Sequence, residues 1–146
     1  MAEFLAALGH LMGAGLSTTN AVEKVIKTLR NPPDELLTLA NEISATNQTI
    51  DRARIIISQF STQSTGNLSA IDSHPINFGQ ILGRANGIFV QLKGIFDSLG
   101  SELDHGSWKQ APRMVWIRRR EQLFKLQNGL VECRKEMNDF IGSRNQ

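Results

Sequence analysis

The sequence predicts an all-α fold, an up-and-down four-helix bundle that forms one domain over residues 1–146. Three observations predict it. Apolar residues recur at intervals of three and four in four long segments. Breaks rich in proline, glycine and serine separate these segments, and no segment alternates as a β-strand does. The length of 146 residues, with 40% apolar and 21% charged residues, suits a single core.

The first predicted helix opens with an apolar run whose large side chains are Phe4, Leu5, Leu8, Leu11 and Met12. A secretory signal is not expected, because no basic residue precedes Lys24. The run is also shorter than the roughly 20 residues that cross a bilayer. We expect this helix to be broken or kinked near residues 13–20, where glycine and hydroxyl residues collect, and to end at Arg30.

The second predicted helix covers residues 32–60. Its apolar residues form a seven-residue repeat of Leu36, Ile43, Ile50 and Ile57. Asn31 can cap the helix, and the two prolines after it occupy positions that need no backbone N–H. Residues 61–77 are rich in Ser, Thr, Asn and Gly, which predicts a long surface loop.

The third predicted helix covers residues 78–103 and has a wide apolar face, typical of a helix that other helices enclose. It also carries glycines four residues apart, at Gly79, Gly83 and Gly87. Such a stripe would allow another backbone to approach closely, at a cost of up to about 1 kcal/mol of helix propensity per glycine.

The last predicted helix starts near Pro112, since proline fits a first turn, and Gly142 is expected to end it. Residues 107–146 contain nine basic and four acidic residues, a net charge of +5. Residues 1–106 contain seven basic and ten acidic residues, a net charge of −3. The basic character of the chain therefore belongs to the last helix.

No arrangement that supports catalysis is visible: the sequence lacks a Walker loop, a complete GxGxxG, HExxH and CxxC. We predict neither an enzyme nor a cofactor. The three histidines, His10, His74 and His105, fall in separate segments, so a shared metal site is not expected. Cys133 lies in the apolar stripe of the last helix, and the favoured interpretation is a small buried side chain rather than a reactive thiol.

The basic cluster of the last helix consists of Arg113, Arg118, Arg119 and Arg120. Consecutive helix positions point in different directions, so the triplet cannot make one compact contact. A solvated helix end paired with Glu121 is the favoured interpretation. Contact with anionic lipid headgroups is the second, and nucleic acid is the least favoured because the basic segment is short.

Gly9 and Gly13 form a GxxxG spacing in the apolar opening. In lipid this spacing would permit close helix contact, and in a soluble bundle it would let the helix approach its neighbour. Burial of the five apolar side chains in the resting core is favoured over permanent insertion. The two interpretations are compatible in a protein that switches between them.

Three segments in this order resemble the fungal HeLo-like N-terminal domains of STAND (NLR-like) receptors: MAEFLAALGHLMGAGLS, NPPDELLTLANEIS and WKQAPRMVWIRRREQLFKLQNGLVECRKEMNDF. The neighbouring fungal family of N-terminal NACHT-associated domains has a similar layout. HeLo-like domains are in turn similar to the four-helix bundle of the mixed lineage kinase domain-like protein.

This resemblance implies a cytoplasmic effector domain of a fungal immune or heterokaryon-incompatibility receptor, with a NACHT or NB-ARC module downstream or on a separate chain. It implies programmed cell death through movement to the plasma membrane and permeabilisation, with anionic lipids as partners and a homo-oligomer allowed. The membrane-active segment would be residues 1–16. The alternative is a helical interaction or oligomerisation module without membrane activity, motivated by the wide apolar face of the third helix.

Overall fold

The structure, a computed structural model, describes the backbone of residues 2–29, 32–63, 75–104 and 112–145, with the side chains of residues 4–29, 32–59, 78–101 and 119–142. It contains four helices: α1 (Ala2–Thr28), α2 (Asp34–Gln63), α3 (Pro75–Asp104) and α4 (Pro112–Asn145). No strand occurs in these ranges. The predicted all-α four-helix bundle is confirmed.

The helix starts follow from local chemistry. The Pro33 carbonyl accepts the first hydrogen bonds of α2, from the N–H groups of Leu36 at 3.0 Å and Leu37 at 3.3 Å. Two carboxylates, Asp34 and Glu35, occupy the first turn, where the helix dipole favours negative charge. Both α3 and α4 begin with proline, whose missing N–H would have no intrahelical partner at this position.

The predicted interruption of the first helix is wrong, because α1 runs continuously through residues 13–20. The hydroxyls in this segment do not compete with the helix but bond to it. Thr18 Oγ1 donates to the Ala14 carbonyl at 2.8 Å, and Thr19 Oγ1 donates to the Gly15 carbonyl at 2.9 Å. Both hydroxyls are thus satisfied four residues back along the same helix.

Other predicted boundaries shift, among them the end of the first helix, which lies at Thr28 and not at Arg30. The loop expected over residues 61–77 is shorter at both ends, because α2 continues to Gln63 and α3 already begins at Pro75. Residues 64–74 lie outside the described residues. Gly142 does not end the last helix, which continues to Asn145. One glycine costs about 1 kcal/mol, which a long packed helix tolerates.

Helix directions alternate along the chain, as expected for an up-and-down bundle. Contacts between Phe4 and Phe78 and between Thr18 and Phe89 make α1 and α3 parallel neighbours. The principal packing pairs are α1 with α2 and α3, and α4 with the same two helices. Their order around the bundle is therefore α1, α2, α4, α3.

The core lies along the axis of the bundle and confirms the predicted apolar rows of α2, α3 and α4. Its largest fully buried side chains are Phe78, Phe89 and Phe96 of α3. The described part of the apolar face of α3 is buried inside the molecule, where α1 and α4 cover it. Because this face is buried, it no longer supports the interaction module that was the alternative function in the sequence analysis.

Candidate functional site

The apolar residues of α1 that the sequence singled out all contact the core. Leu8 and Leu11 are fully buried, whereas Phe4, Leu5 and Met12 are partly buried and pack against the core. Farther along the helix, Val22 and Val25 are also fully buried. These apolar contacts hold α1 in the groove between α2 and α3.

Aromatic rings close one end of this groove. The Phe4 ring meets the Phe78 ring edge-on, with centroids 5.6 Å apart and an interplanar angle of 73°. Phe78 stacks on Phe140 at 4.3 Å and 15°. Edge-to-face and offset-stacked geometries are the favourable ones for aromatic pairs. The start of α1 is therefore joined through Phe78 to the end of α4.

Polar contacts attach the middle of α1 to both neighbouring helices. Thr18 is fully buried, and its Oγ1 also approaches the Phe89 carbonyl of α3 at 3.2 Å. On the other side, the Asn47 side chain of α2 donates from Nδ2 to the Gly15 carbonyl at 3.3 Å and to Thr19 Oγ1 at 3.0 Å. These contacts fix the position of α1 along the groove, which apolar packing alone does not do.

The glycines predicted to allow close helix packing do not do so. A Cβ added at Gly9, Gly13, Gly83 or Gly87 would meet no described atom within 4 Å, and one at Gly79 would only touch the Phe4 ring at 3.9 Å. In the described part of the chain, no neighbouring helix therefore packs closely against Gly9, Gly13, Gly83 or Gly87, and only the Phe4 ring of α1 approaches Gly79. Close packing at these five glycines does not occur among the described residues of the folded bundle, and close packing in lipid stays a prediction.

The position where a neighbouring helix does approach closely is Gly15 of α1, which is buried against α2. A Cβ there would overlap the side-chain oxygen of Asn47 and lie 2.9 Å from its Cγ. Gly129 of α4 is a second tight position, where an added Cβ would lie 2.8 Å from the Cδ1 atom of Ile88. Sequence analysis missed Gly15, Thr18 and Asn47. One signal was available, because Thr18 is a polar residue in the otherwise apolar row of Leu11, Val22 and Val25.

The solvent side of α1 lacks charge from Phe4 to Val22, and its exposed charged residues, Glu23, Lys24 and Lys27, lie in the last turns of the helix. We define the outer face of α1 as its exposed residues between Phe4 and Val22, which are Ala6, Ala7, Gly9, His10, Gly13, Leu16 and Asn20. None of these is Asp, Glu, Lys or Arg, and Leu16 is 58% exposed. A surface helix normally carries charged residues on this side. α1 therefore has an apolar inner side and an outer face without charged side chains.

The exposed residues of α4 provide the contrast. Seven of the eleven between Arg119 and Gly142 are charged: Arg120, Glu121, Lys125, Glu132, Lys135, Glu136 and Asp139. Ion pairs then join α4 to its neighbours. Arg84 of α3 pairs with Glu136, and Arg134 makes a two-point contact with Glu42 of α2 at 2.7 and 3.2 Å. The hydrogen bonds that Arg134 donates to Glu42 raise the pKa of Arg134 above its ordinary value.

Among the side chains that the structure describes, the ion pairs between helices are Arg84–Glu136, Arg120–Glu35 and Arg134–Glu42, and no residue of α1 takes part in them. α2, α3 and α4 are thus connected by charge as well as by packing. α1 is held by apolar burial and by hydrogen bonds between uncharged groups alone. Its separation from the bundle would leave none of these charges without a partner.

The structure brings only part of the basic cluster into view, since the side chains of Arg113 and Arg118 lie outside the described residues. Arg120 pairs with Glu35 at 2.6 Å, not with Glu121 as expected, and its guanidinium lies 5.7 Å from the centre of the Phe124 ring. Arg119 reaches Ser98 of α3 at 3.5 Å. The two arginines point to different neighbouring helices.

Other candidate chemistry is limited. Cys133 is buried, and burial raises the pKa of its thiol, an effect that nearby Arg84 opposes. An elevated pKa keeps the thiol protonated and unreactive. His10 lies on the exposed side of α1, whereas His74 and His105 fall outside the described residues. Within the described ranges, no three His, Cys, Asp or Glu side chains group as metal ligands would.

Two further findings concern membrane crossing and similarity to known proteins. Of the helices in the described part of the chain, none combines the length and apolar character that a membrane crossing requires. We found no family model, curated protein or solved structure that matches this chain.

Proposed function

We propose that this chain is a membrane-targeting effector domain of the HeLo-like kind, which induces cell death in a fungal immune or incompatibility response by permeabilising the plasma membrane. In this proposal, α1 rests in the bundle and enters the lipid surface when activated. A separate or downstream NACHT or NB-ARC module supplies the trigger. The observation that carries the proposal is that the described side chains of α1 make no ion pair to the bundle and that its outer face carries no charge.

The distribution of charge supports transfer into lipid. From Phe4 to Val22 the chain has 19 residues without Asp, Glu, Lys or Arg. A charged side chain at the centre of an inserted helix costs about 2.5–3.5 kcal/mol, and α1 carries none over this stretch. At about 1.5 Å per residue, the stretch is roughly as long as the hydrocarbon layer is thick. In an assembly of several inserted copies, the polar residues of this stretch face neighbouring helices and not lipid.

The hydroxyls of α1 remove a second obstacle. An unsatisfied polar group in hydrocarbon costs several kcal/mol. Thr18 and Thr19 donate to carbonyls of α1 itself, so these bonds persist when the helix leaves the bundle. The helix therefore takes its own hydrogen-bond acceptors with it.

Apolar burial sets the scale of the barrier. Each fully buried Leu or Val contributes about 1.5–3 kcal/mol relative to exposure, and α1 contributes Leu8, Leu11, Val22 and Val25. In water, release of α1 is therefore rare. A lipid surface that offers these side chains comparable burial offsets the loss, and a modest bias from an activating partner can then shift the population.

The basic end of α4 supports attraction to anionic lipid. Arg119 and Arg120 contact Ser98 and Glu35, and such surface contacts contribute at most about 1 kcal/mol. Headgroup phosphates can therefore replace them. We accordingly propose anionic lipids as partners and self-assembly of released copies as the route to permeabilisation, with no role for nucleic acid.

Leu16→Glu is expected to reduce dye leakage from anionic vesicles by more than tenfold, because it places a charge in the middle of the inserting helix. Leu16 is 58% exposed, so the folded bundle should keep its stability within about 0.5 kcal/mol. Val90→Glu is the matched control, since Val90 is 60% exposed on α3. Leakage should be measured with thermal unfolding of each variant.

In that experiment, equal leakage by the parent chain and the Leu16→Glu variant would exclude insertion of α1. An equal reduction by Val90→Glu would mean that an added surface charge, and not its position on α1, lowers the leakage. Neutral vesicles should leak less than anionic ones if the arginines contribute.

The second candidate function is self-association without membrane activity, and the observation that favours it is the exposure of Leu16 and Val90 on neighbouring helices. Isolated apolar side chains are common on protein surfaces, so this observation is the weaker one. The candidate predicts a dimer at micromolar concentration in light scattering, which either glutamate substitution would dissociate. A monomer at every concentration tested would exclude it.

A further inference from the structure

We infer that the contact between Gly15 of α1 and Asn47 of α2 is a latch that sets how readily α1 separates from the rest of the bundle. The inference rests on the proposed function only for its consequence at the membrane. The latch itself is a property of the folded chain in water and can be measured there.

Both hydrogen bonds of the contact run from Asn47 to α1. Both acceptors of the Asn47 amide nitrogen, the Gly15 carbonyl and Thr19 Oγ1, belong to α1. The side-chain oxygen of Asn47 is buried, has no hydrogen-bond partner among the described residues, and occupies the space that a Cβ on residue 15 would need. The amide therefore fits against α1 only because residue 15 has no side chain.

The consequences of breaking this contact differ for the two helices. α1 loses little, since its Thr19 hydroxyl still donates to the Gly15 carbonyl four residues back. The oxygen of Asn47, by contrast, reaches water when α1 leaves and can then find a partner, as its buried position does not allow now. The contact thus favours the closed position through the two bonds of the amide nitrogen, and release relieves the unpartnered oxygen.

The position of the contact suits a latch. It lies midway along α1, between the buried residues Leu8 and Leu11 on one side and Val22 and Val25 on the other. At the same level, Thr18 contacts the Phe89 carbonyl of α3. Both neighbouring helices therefore hold α1 by polar groups within one turn, in addition to the apolar packing on either side.

The two glycines of this segment separate the latch from helix propensity. Alanine in place of either glycine should strengthen the isolated helix, because glycine is a poor helix former. At Gly13 a Cβ meets open space, whereas at Gly15 it collides with Asn47. A difference between the two substitutions therefore reports the contact and not the propensity.

The experiment measures native-state hydrogen exchange in four forms of the full chain: Gly15→Ala, Asn47→Ala, the double variant and the control Gly13→Ala. Gly15→Ala and Asn47→Ala should each make the amides of α1 exchange about tenfold faster, because each removes the hydrogen bonds of the Asn47 amide. Exchange in α4 should change less than twofold, and Gly13→Ala should leave α1 as protected as in the parent or more.

The double variant is the decisive comparison. Once Asn47 is alanine, nothing remains for the Cβ of residue 15 to displace, so the second substitution should cause no further increase in exchange. If the two effects multiply instead, the inference is overturned, because each residue then acts without the other. Equal acceleration in all four helices, or no acceleration in α1, would also overturn it. Asn47→Ala introduces no collision and keeps the test valid if Gly15→Ala folds poorly.

Vesicle leakage by the same variants separates the latch from the proposed function. If both statements hold, the single variants that open α1 should leak faster than the parent. Selective opening of α1 with intact vesicles would support the latch and contradict membrane permeabilisation. Faster leakage without faster exchange in α1 would overturn the latch while leaving the membrane activity in place.

Discussion

Phe78→Ala is expected to lower the free energy of unfolding by about 3–5 kcal/mol, the usual range for removing a buried phenylalanine. Phe78 is fully buried, and its ring contacts both Phe4 of α1 and Phe140 of α4. The substitution therefore leaves a cavity where three helices meet and also removes two aromatic contacts of about 0.5–1.5 kcal/mol each. Urea unfolding followed by circular dichroism measures the loss.

Phe124→Ala is the matched control for Phe78→Ala. Phe124 is 42% exposed on α4, and its ring makes a cation–π contact with the Arg120 guanidinium. Its loss should cost less than about 1 kcal/mol, the value of a cation–π contact at an exposed site. Similar losses for the two variants would mean that the three-ring contact does not stabilise this end of the bundle.

Leu8→Ala is expected to increase vesicle leakage by at least tenfold. The substitution of a fully buried leucine costs about 2–5 kcal/mol, and here the lost contacts are those between α1 and its groove. Because each 1.4 kcal/mol changes an equilibrium tenfold, even the lower value raises the released population of α1 more than tenfold. Alanine remains compatible with lipid, so insertion itself should not be blocked.

Leu130→Ala separates release of α1 from general loss of stability. Leu130 is also fully buried but belongs to α4, so its loss should lower the free energy of unfolding by a similar amount. Leakage should nevertheless stay near that of the parent when both proteins are folded. If Leu130→Ala leaks as much as Leu8→Ala, unfolded chains and not released α1 would be the active species.

Much of the fold could be predicted because helix formation and burial leave a periodic pattern. The row of Leu36, Ile43, Ile50 and Ile57 predicted the buried side of α2, and all four residues are buried. Pro112 correctly marked the start of α4, since proline is restricted to the first turn. These features depend on neighbours within one or two turns of the same helix.

The candidate site was predicted less completely. The apolar residues of α1 were recognised, but the glycines chosen for close packing, Gly9 and Gly13 among them, face open space in the folded bundle. A spacing of four places residues on one side of a helix without saying whether that side faces a neighbour. The position that needs a glycine, Gly15, is identified only by the Asn47 side chain, 32 residues away in the sequence.

The sequence by itself determined that this protein has four helices and which side chains leave water, because a helical repeat of apolar residues is a local property. The tertiary structure alone decided that α1 lies between α2 and α3, that the described ion pairs between helices join only α2, α3 and α4, and that Asn47 holds α1 at Gly15. These features depend on which helices become neighbours and on the positions along their axes at which they contact each other. Contacts between residues distant along the chain determine both, and no periodic pattern records them.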